Sequence, residues 1–334
     1  MAKPVDLSDL DLHPPLINAH DHLELNHFPR TTFRDRYPNA HEWGDDVSAH
    51  LDEEPLKSLR SVPLNDQVFI GGLKNLLSGA LFVLHHNPPH RALFARGYPV
   101  QVIRRYRWAH SLHFSDPESI RRAYRQARLW RLPFVIHLAE GTDAVAADEL
   151  ARLETLLRGD LSQVVLVHGV GLTPSDIARA APRVRGLVIC PTTNRYLLGE
   201  VPDAHAWVAA GGKIAIGSDS RLTADGDLLD ERRTAEVLYG DLPDHAMAIT
   251  GARPRIEDLI ATRKGVALKS AGRSDLALVV RGGIPQIGDP DVMARFTRSK
   301  TVPTRLDGVP KAIEAGLARK IAACSLSEPG LDLL

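Results

Sequence analysis

The sequence predicts an α/β fold in the form of a (β/α)8 TIM-type barrel. Short β-branched runs bounded by turn residues alternate with helical patterns, as in parallel strands joined by crossover helices. The ends of successive predicted strands also recur evenly, with 31 positions from His137 to His168, 22 more to Cys190 and 29 more to Asp219, close to the roughly 30 residues of a βαβ unit. An open doubly wound sheet is the alternative, but no predicted strand is followed by a phosphate-binding glycine motif.

Seven barrel strands can be placed from the pattern. They are predicted at 16–18, 80–84, 100–103, 134–136, 164–167, 186–189 and 213–216. Helices are predicted between them at 65–78, 117–130, 143–158, 174–180 and 202–210, several opening with the Asp, Ser or Pro residues that begin helices. A barrel of this type needs eight strands, and the missing fourth strand is expected within 107–114.

Two segments differ from the alternating pattern. Residues 23–64 are polar and lack periodicity, so a long loop at the C-terminal face of the barrel is predicted, where such loops shape active sites. After residue 270, LALVV, a Gly-Gly turn and IPQIGD predict a hairpin outside the barrel, followed by a helix near 309–322. These patterns divide the chain into a barrel, 1–272, and a C-terminal hairpin and helix extension packed on it, 273–334.

The composition favours a small-molecule partner. The 334 residues include 41 Lys plus Arg, 41 Asp plus Glu and 44% apolar residues, as in an ordinary globular protein. A formal net charge of +0 gives no field for attracting nucleic acid or an anionic membrane. Two cysteines without CxxC spacing indicate a reducing compartment, and neither a signal-peptide start nor a membrane-spanning apolar run is found. A cytoplasmic protein is therefore expected, with its oligomeric state left open.

Histidines and an aspartate follow several predicted strands. His20 and His22 end the first strand in INAHDH, where alternation places both side chains on one face. Three further groups at strand ends are His137 after PFVI, His168 after VVLV and Asp219 after KIAIGS. An HxH pair alone is weak evidence, since such pairs also arise in polar turns. Imidazoles and a carboxylate together, however, are a ligand set for a catalytic divalent ion such as zinc.

Glu140 lies three residues after His137 in HLAEG. If the chain turns inward at the end of the strand, its carboxylate can face the water at such an ion and transfer protons. A solvated loop glutamate is the alternative interpretation of the spacing.

Five strand-end motifs together resemble the amidohydrolase superfamily, in the branch of cytosine deaminase, guanine deaminase and the chlorohydrolases. They are NAHDHLE, VIHLAEG, LVHGVGL, CPTTNRYL and IGSDSRLT, and they occur in this order within about residues 16–280. The resemblance implies a distorted barrel that binds one metal ion through four residues, His20, His22, His137 and Asp219. It also implies three further roles: Asp219 accepts a proton from the water at the metal, Glu140 transfers it to the leaving group, and His168 polarises the substrate.

The sequence departs from this family in two ways. Relatives usually carry a small β-sandwich built from both chain ends, but only about 15 residues precede the first predicted strand, so a reduced β-hairpin remnant near 275–288 is expected. Binuclear members use a carboxylated lysine on the fourth strand, but this sequence has no lysine between Lys74 and Lys213. One divalent ion is therefore predicted, with zinc preferred over iron or manganese.

Other residues near strand ends are predicted to contact substrate. They are His86, Asn194, Arg195 and Arg221. For His86 and Asn194 the alternative is packing or turn capping. The two arginines, with others in 23–64, lead to the hypothesis of an anionic handle on the substrate, unless the neighbouring aspartates neutralise them.

The whole pattern predicts a mononuclear metal-dependent hydrolase that acts on a C–N bond, by deamination or by hydrolysis of a cyclic or linear amide. Hydrolytic removal of another leaving group, such as chloride, is the second enzymatic hypothesis. A non-catalytic metal-binding regulatory relative is the rival from another class. This rival is disfavoured because every expected ligand and the expected proton-transfer residue are present.

Overall fold

The computed structural model describes residues 5–334; the first four residues, part of the stretch that argues against a signal peptide, lie outside it. A short strand, β1 (Leu10–His13), precedes eight parallel strand segments that form the wall of the fold. These are β2 (Leu16–Asp21), β3 (Ala80–His85), β4 (Gln101–Val102), β5 (Arg107–Trp108), β6 (Phe134–Leu138), β7 (Val164–His168), β8 (Gly186–Ile189) and β9 (Ile214–Ile216). All seven predicted strands are present, with ends shifted by a few residues.

The wall consists of two sheets whose order follows the chain. One contains β2, β3 and β4, and the other runs from β5 to β9, with every neighbouring pair parallel. After β9, the backbone N–H of Asp219 donates to the carbonyl of His20 at 3.0 Å, and His22 N–H donates to Asp219 at 3.3 Å. These bonds bring the end of the last strand to the end of the first, and the architecture is that of a TIM-type barrel.

β4 and β5 share one position in this wall. Only residues 103–106 separate them, and these contain no helix. Adjacent parallel strands need a connection of a dozen or more residues, so the two segments cannot be neighbours in a sheet. Instead β4 pairs with β3 and β5 with β6, as pieces of one extended stretch. The segment 107–114 thus holds a strand, as predicted, but without the separate βα unit that a full (β/α)8 barrel requires.

Ten helices accompany the wall in the described residues: α1 (Ala40–Ala49), α2 (Leu56–Arg60), α3 (Leu64–Leu77), α4 (Pro117–Trp130), α5 (Ala144–Leu156), α6 (Pro174–Ala180), α7 (Pro191–Leu198), α8 (Ala204–Ala209), α9 (Leu228–Tyr239) and α10 (Ala246–Thr250). The predicted bounds of α4 and α6 are confirmed because Asp116 and Thr173 cap their N-termini and each is followed by a proline. The prediction of a structureless loop over 23–64 is wrong, since α1 and α2 lie there. α1 has no buried residue.

A seven-stranded antiparallel sheet packs beside the barrel, so the prediction of a hairpin remnant is wrong. Its strands are β1, β10 (Leu259–Arg263), β11 (Leu276–Arg281), β12 (Ile284–Gly288), β13 (Thr301–Leu306), β14 (Val309–Glu314) and β15 (Leu331–Leu333). The expected hairpin is the β11–β12 pair, turned by Gly282 and Gly283 at positive φ. β1 pairs with β10, about 250 residues later in the chain. Because the two strands are so far apart in sequence, no local sequence pattern indicates that they pair.

The helix predicted near 309–322 also needs correction. Residues 309–314 form β14, and the helix begins only afterwards; the last two helices are α11 (Pro290–Met293) and α12 (Ala315–Ala323).

The antiparallel sheet and the barrel share one buried apolar cluster, which includes residues of the barrel strands, of α3 and of β10 to β14. The division at 272/273 stays a prediction. Within residues 5–334, the helices are too short or too polar to cross a bilayer.

Candidate active site

Three imidazoles and one carboxylate converge at the C-terminal ends of the barrel strands. The Nε2 atoms of His20 and His137 lie 3.1 Å apart, and those of His22 and His137 lie 3.4 Å apart. Asp219 Oδ1 lies 3.5 Å from the Nε2 atoms of both His20 and His22. The structure thus brings together the four residues that the sequence predicts as metal ligands.

These spacings fit a divalent ion. Four ligands at 2.0–2.1 Å from a tetrahedral zinc ion lie about 3.3–3.4 Å from one another, close to the spacing of this donor set. Burial lowers the pKa values of His20 and His137, which favours the neutral imidazole that binds metals. The Nε2 atoms of the three histidines and the carboxylate of Asp219 therefore form a site that a single cation can occupy.

A further buried histidine, His86, lies behind His20. Its Nε2 is 2.9 Å from the carbonyl oxygen of Ala109, and its Nδ1 is 3.2 Å from Nδ1 of His20. Since the carbonyl only accepts, Nε2 of His86 carries the proton, and its Nδ1 accepts from Nδ1–H of His20. That bond leaves Nε2 of His20 free to bind a metal. By distance alone, His86 could replace Asp219 as the fourth metal ligand beside His20, His22 and His137. Its two nitrogens are already hydrogen bonded, however, so we expect His86 to orient the His20 ring and not to bind the metal.

Glu140 and His168 form a pair beside the ligand set. Glu140 Oε2 lies 3.3 Å from Nε2 of His168, and Asn194 Nδ2 lies 3.0 Å from Nδ1 of the same ring. With the amide donating to Nδ1, the imidazole proton resides on Nε2 and faces Glu140. Burial raises the pKa of Glu140 well above its usual value, and the nearby Asp219 adds to this effect. A carboxyl group tuned in this direction can exchange protons closer to neutral pH.

The backbone is strained at three positions around the site. Ala139, His168 and Asp219 have φ values of 53°, 76° and 50°, and such conformations cost a residue with a side chain on the order of 1–3 kcal/mol. At Ala139 the turn is held by Glu149, whose Oε2 accepts the backbone N–H at 2.6 Å. This turn sets the position of the next residue, Glu140.

A cavity of about 130 Å³ lies over these groups. The predicted site residues in its wall are His22, His137, Glu140, His168 and Asp219. Wall residues that sequence reasoning missed include His41, Trp43, His110, Phe114 and Glu149. The first two belong to α1, so the segment 23–64 does shape the site as predicted. Glu149 carries the clearest sequence signal among the missed residues, because it is an acidic residue on the buried face of α5.

Four predicted substrate contacts are absent from the cavity wall. They are His86, Asn194, Arg195 and Arg221. The first two are buried behind the site, where they contact His20 and His168. Arg195 is exposed on α7, and Arg221 donates to both carboxylate oxygens of Glu328 at 2.9 and 2.6 Å. Neither arginine lines the cavity, and substrate contact by Arg195 or Arg221 stays a prediction.

The anionic handle also finds no support in the 23–64 segment. Arg34 binds Asp46 and Glu42, and the guanidinium of Arg30 stacks on Tyr196 at 4.1 Å from the ring centroid. No lysine or arginine lines the cavity within residues 5–334, whereas three carboxyl groups do.

Behind His20 and His22, at the C-terminal end of β2, Asp21 and Lys74 form a fully buried ion pair. Lys74 Nζ lies 3.2 Å from Asp21 Oδ2 and donates to Asn26 Oδ1 at 2.6 Å and to Ser218 Oγ at 3.1 Å. Asp21 also accepts from Asn26 and Asn75, each at 2.7 Å. Because Asp21 lies between the two histidines in sequence, this network fixes the strand that carries them.

Comparison with known proteins is consistent with this geometry. The model of the Amidohydrolase family matches residues 109–251, which include all the predicted catalytic residues but not the HxH pair. The 5-methylthioadenosine/S-adenosylhomocysteine deaminase of Natronomonas pharaonis is 30% identical over 154 residues, covering 42% of this chain and 34% of that protein. The chain thus matches about a third of the length of this relative.

Two solved structures resemble the whole fold. A zinc-bound adenosine deaminase from Xanthomonas campestris superposes with a TM-score of 0.62 at 19% identity, covering 87% of this chain and 84% of that one. The zinc complex of atrazine chlorohydrolase from Arthrobacter aurescens TC1 gives 0.64 at 16% identity, covering 87% and 88%. At these identities the structures support the fold alone. Together with the family match, they confirm the predicted resemblance to metal-dependent hydrolases of the amidohydrolase superfamily.

Proposed function

We propose that this protein is a mononuclear metal-dependent hydrolase that deaminates a small molecule at a C–N bond. The observation that carries the proposal is the Glu140–His168 pair, 3.3 Å apart and directly beside four groups spaced for one divalent ion. Relatives named as deaminases support C–N hydrolysis over the removal of another leaving group. The substrate, the metal and the reaction of this chain are parts of the same proposal.

His20, His22, His137 and Asp219 would hold the ion, and zinc is favoured by its presence in the two similar structures. When bound in such a site, zinc activates water as a nucleophile at neutral pH. His86 keeps the His20 ring oriented through its Nδ1 atom, and loss of such an outer partner typically weakens metal binding about 10- to 100-fold.

The remaining groups move protons and bind the substrate. Asp219 would accept a proton from the attacking water, and Glu140 would transfer that proton to the departing amine, so that no net proton is gained or lost by the protein. His168 donates from Nε2 and polarises the bond under attack, with its tautomer set by Asn194. The apolar side chains of Leu25, Trp43, Phe114 and Leu197 in the cavity wall exclude bulk water.

Glu140→Gln tests the proposal because it keeps the size of the side chain and removes the base. Zinc-loaded wild-type protein should release ammonia from one or more members of a panel of amino heterocycles and amides. The variant should retain its zinc and lose about 10²- to 10⁴-fold in turnover. Glu236→Gln, at an exposed ion pair with Lys269, is the control and should behave as the wild type.

Three results would contradict the proposal. Near wild-type turnover by Glu140→Gln would remove the proton-transfer role. Full zinc occupancy without hydrolysis of any panel member would favour the regulatory hypothesis, and chloride release from chlorinated rings would favour the dechlorinase hypothesis. A cytoplasmic location stays a prediction, and the oligomeric state stays open.

A further inference from the structure

We propose that a basic groove at the N-terminal end of the barrel strands binds a soluble anion that carries phosphate groups. The groove has a volume of about 700 Å³ and lies between the segment that leads into β4, the turn between β11 and β12, and α12. Gln101 in its wall is the first residue of β4, whereas the candidate active site lies at the C-terminal ends of the parallel strands. The groove is therefore separate from the active site, and binding there does not depend on the proposed function.

Five cationic side chains line the groove. They are Arg96, Arg255, Arg281, Arg319 and Lys320. Within residues 5–334, none of them forms an ion pair with a carboxylate, although Asp258 and Glu314 belong to the same wall. The groove thus carries an excess of three positive charges in a chain whose formal net charge is +0.

The two carboxyl groups of the wall are bound to backbone amides instead. Asp258 accepts the N–H of Gly282 at 2.7 Å and the N–H of Arg255 at 3.1 Å, one at each oxygen. Glu314 caps the N-terminus of α12 by accepting the N–H of Leu317 at 2.7 Å. These carboxylates hold the turn and the helix, and the cationic side chains stay available for a ligand.

The guanidinium of Arg281 is held in place by the backbone on one side only. Its Nη1 donates to the carbonyl of Tyr98 and, at 3.1 Å, to that of Pro99. Its Nε and Nη2 atoms make no hydrogen bond within residues 5–334. Burial lowers the pKa of this half-buried side chain, because its charge is incompletely hydrated. An anion in the groove would stabilise that charge.

The ammonium group of Lys320 is also positioned by the backbone. Its Nζ donates to the carbonyls of Arg96 and Gly97 at 3.2 and 2.6 Å. Gly97 has a φ of 77°, and a Cβ atom there would overlap this Nζ, so the ammonium group occupies the space of a missing side chain. One of its three N–H groups remains for a ligand. Because Lys320 and Arg281 are held before a ligand arrives, little side-chain entropy is lost on binding.

The charge and the geometry of these groups suit phosphate. A guanidinium binds phosphate oxygens through two parallel hydrogen bonds, and an ammonium group binds them as a point charge. A phosphate monoester carries about 1.5 to 2 negative charges at neutral pH, so a compound with two phosphate groups is closest to the positive excess of the groove. Pyrophosphate is accordingly the simplest probe.

Calorimetric titration of the zinc-loaded protein with pyrophosphate tests the site. One pyrophosphate should bind per chain, and either Arg281→Gln or Lys320→Gln should weaken binding about 10- to 100-fold, the range expected for a hydrogen bond between charged groups. Arg122→Gln removes the same charge at an exposed position of α4, outside the groove. This control should change the affinity less than about 2-fold.

Two further measurements locate the bound pyrophosphate. Pyrophosphate also binds zinc, so the titration is repeated without added zinc on His22→Ala, which lacks one proposed metal ligand, and the binding should persist. Pyrophosphate should also slow the acetylation of Lys320, measured by mass spectrometry, relative to that of Lys57, which is exposed on α2. This readout uses the wild-type chain and stays valid if a variant fails to fold.

Several results would overturn the proposal. They are no binding at about 1 mM pyrophosphate, loss of binding in His22→Ala, equal weakening by Arg122→Gln, unchanged acetylation of Lys320, or tighter binding of citrate than of pyrophosphate. Binding only to phosphatidylglycerol vesicles would contradict a soluble ligand. None of these results depends on hydrolysis at the active site, so the proposed function is tested separately.

Discussion

Replacing Lys74 with methionine would test whether the buried ion pair stabilises the strand of the two histidines. Methionine fills a similar volume but removes the amine, so three contacts are lost: those to Asp21, Asn26 and Ser218, at 3.2, 2.6 and 3.1 Å. Both members of the pair have 0% exposed side chains, so water cannot replace the missing charge.

Breaking a fully buried pair by removing one partner costs roughly 3–5 kcal/mol. Asp21 would still accept hydrogen bonds from Asn18, Asn26, Asn75 and Ser218, which keeps the expected loss near the lower limit, about 3 kcal/mol. Asp21→Asn in the Lys74→Met background removes the uncompensated charge. The double variant should therefore lose less than the sum of the single losses, with a coupling of about 1–3 kcal/mol.

The assay is urea unfolding of the metal-free protein, followed by circular dichroism. Lys269→Met, which breaks the exposed pair with Glu236, is the control and should cost less than about 1 kcal/mol. A loss for Lys74→Met as small as this control, or strict additivity with Asp21→Asn, would refute the argument that the pair stabilises the strand.

Three further predictions follow from the site and its surroundings. Elemental analysis of zinc-reconstituted protein should find about one ion per chain, and less in His22→Ala; two tightly held ions would contradict the mononuclear site. Burial raises the pKa of Glu231 from 4.5 to about 8, so the folded state binds the extra proton and the free energy of unfolding should fall as pH rises between these values. In urea titrations at several pH values, Glu231→Gln should weaken the pH dependence of the free energy of unfolding, and an unchanged pH dependence would contradict the raised pKa of Glu231. Arg221→Ala should lower the free energy of unfolding without changing KM, because its guanidinium binds Glu328, whereas a KM increase confined to acidic substrates would restore the anionic-handle hypothesis.

The convergence of the four proposed metal ligands could be predicted from sequence because each lies where an apolar run ends. Side-chain alternation placed His20 and His22 together, and the common direction of parallel strands brought His137 and Asp219 to the same edge. The order of the five motifs added the expected roles. Local sequence pattern and parallel-strand topology were sufficient to predict this convergence, because each of the four residues follows or ends a strand that the sequence pattern itself predicts.

The cavity wall and the flanking sheet could not be predicted in the same way. His41 and Trp43 lie on α1, which has no buried residue and follows a long polar stretch, so the sequence does not indicate that this helix reaches the cavity. β1 has four residues, and its partner β10 is about 250 positions away, which leaves no local pairing signal. For Arg221 the sequence indicates a strand end near the site, but it does not reveal the ion-pair partner Glu328, which lies 107 positions later in the chain.

The shared wall position of β4 and β5 means that one stretch of chain connects β3 to β6. The end of this stretch contacts the histidines on either side of it: Nε2 of His86 lies 2.9 Å from the carbonyl oxygen of Ala109, and the backbone N–H of His137 donates to the carbonyl of His110 at 3.0 Å. The centroid of the His137 ring consequently lies 4.3 Å from that of His86 and 4.7 Å from that of His110. A substitution that redirects this stretch would therefore displace His86 and His137 together, although neither residue belongs to it.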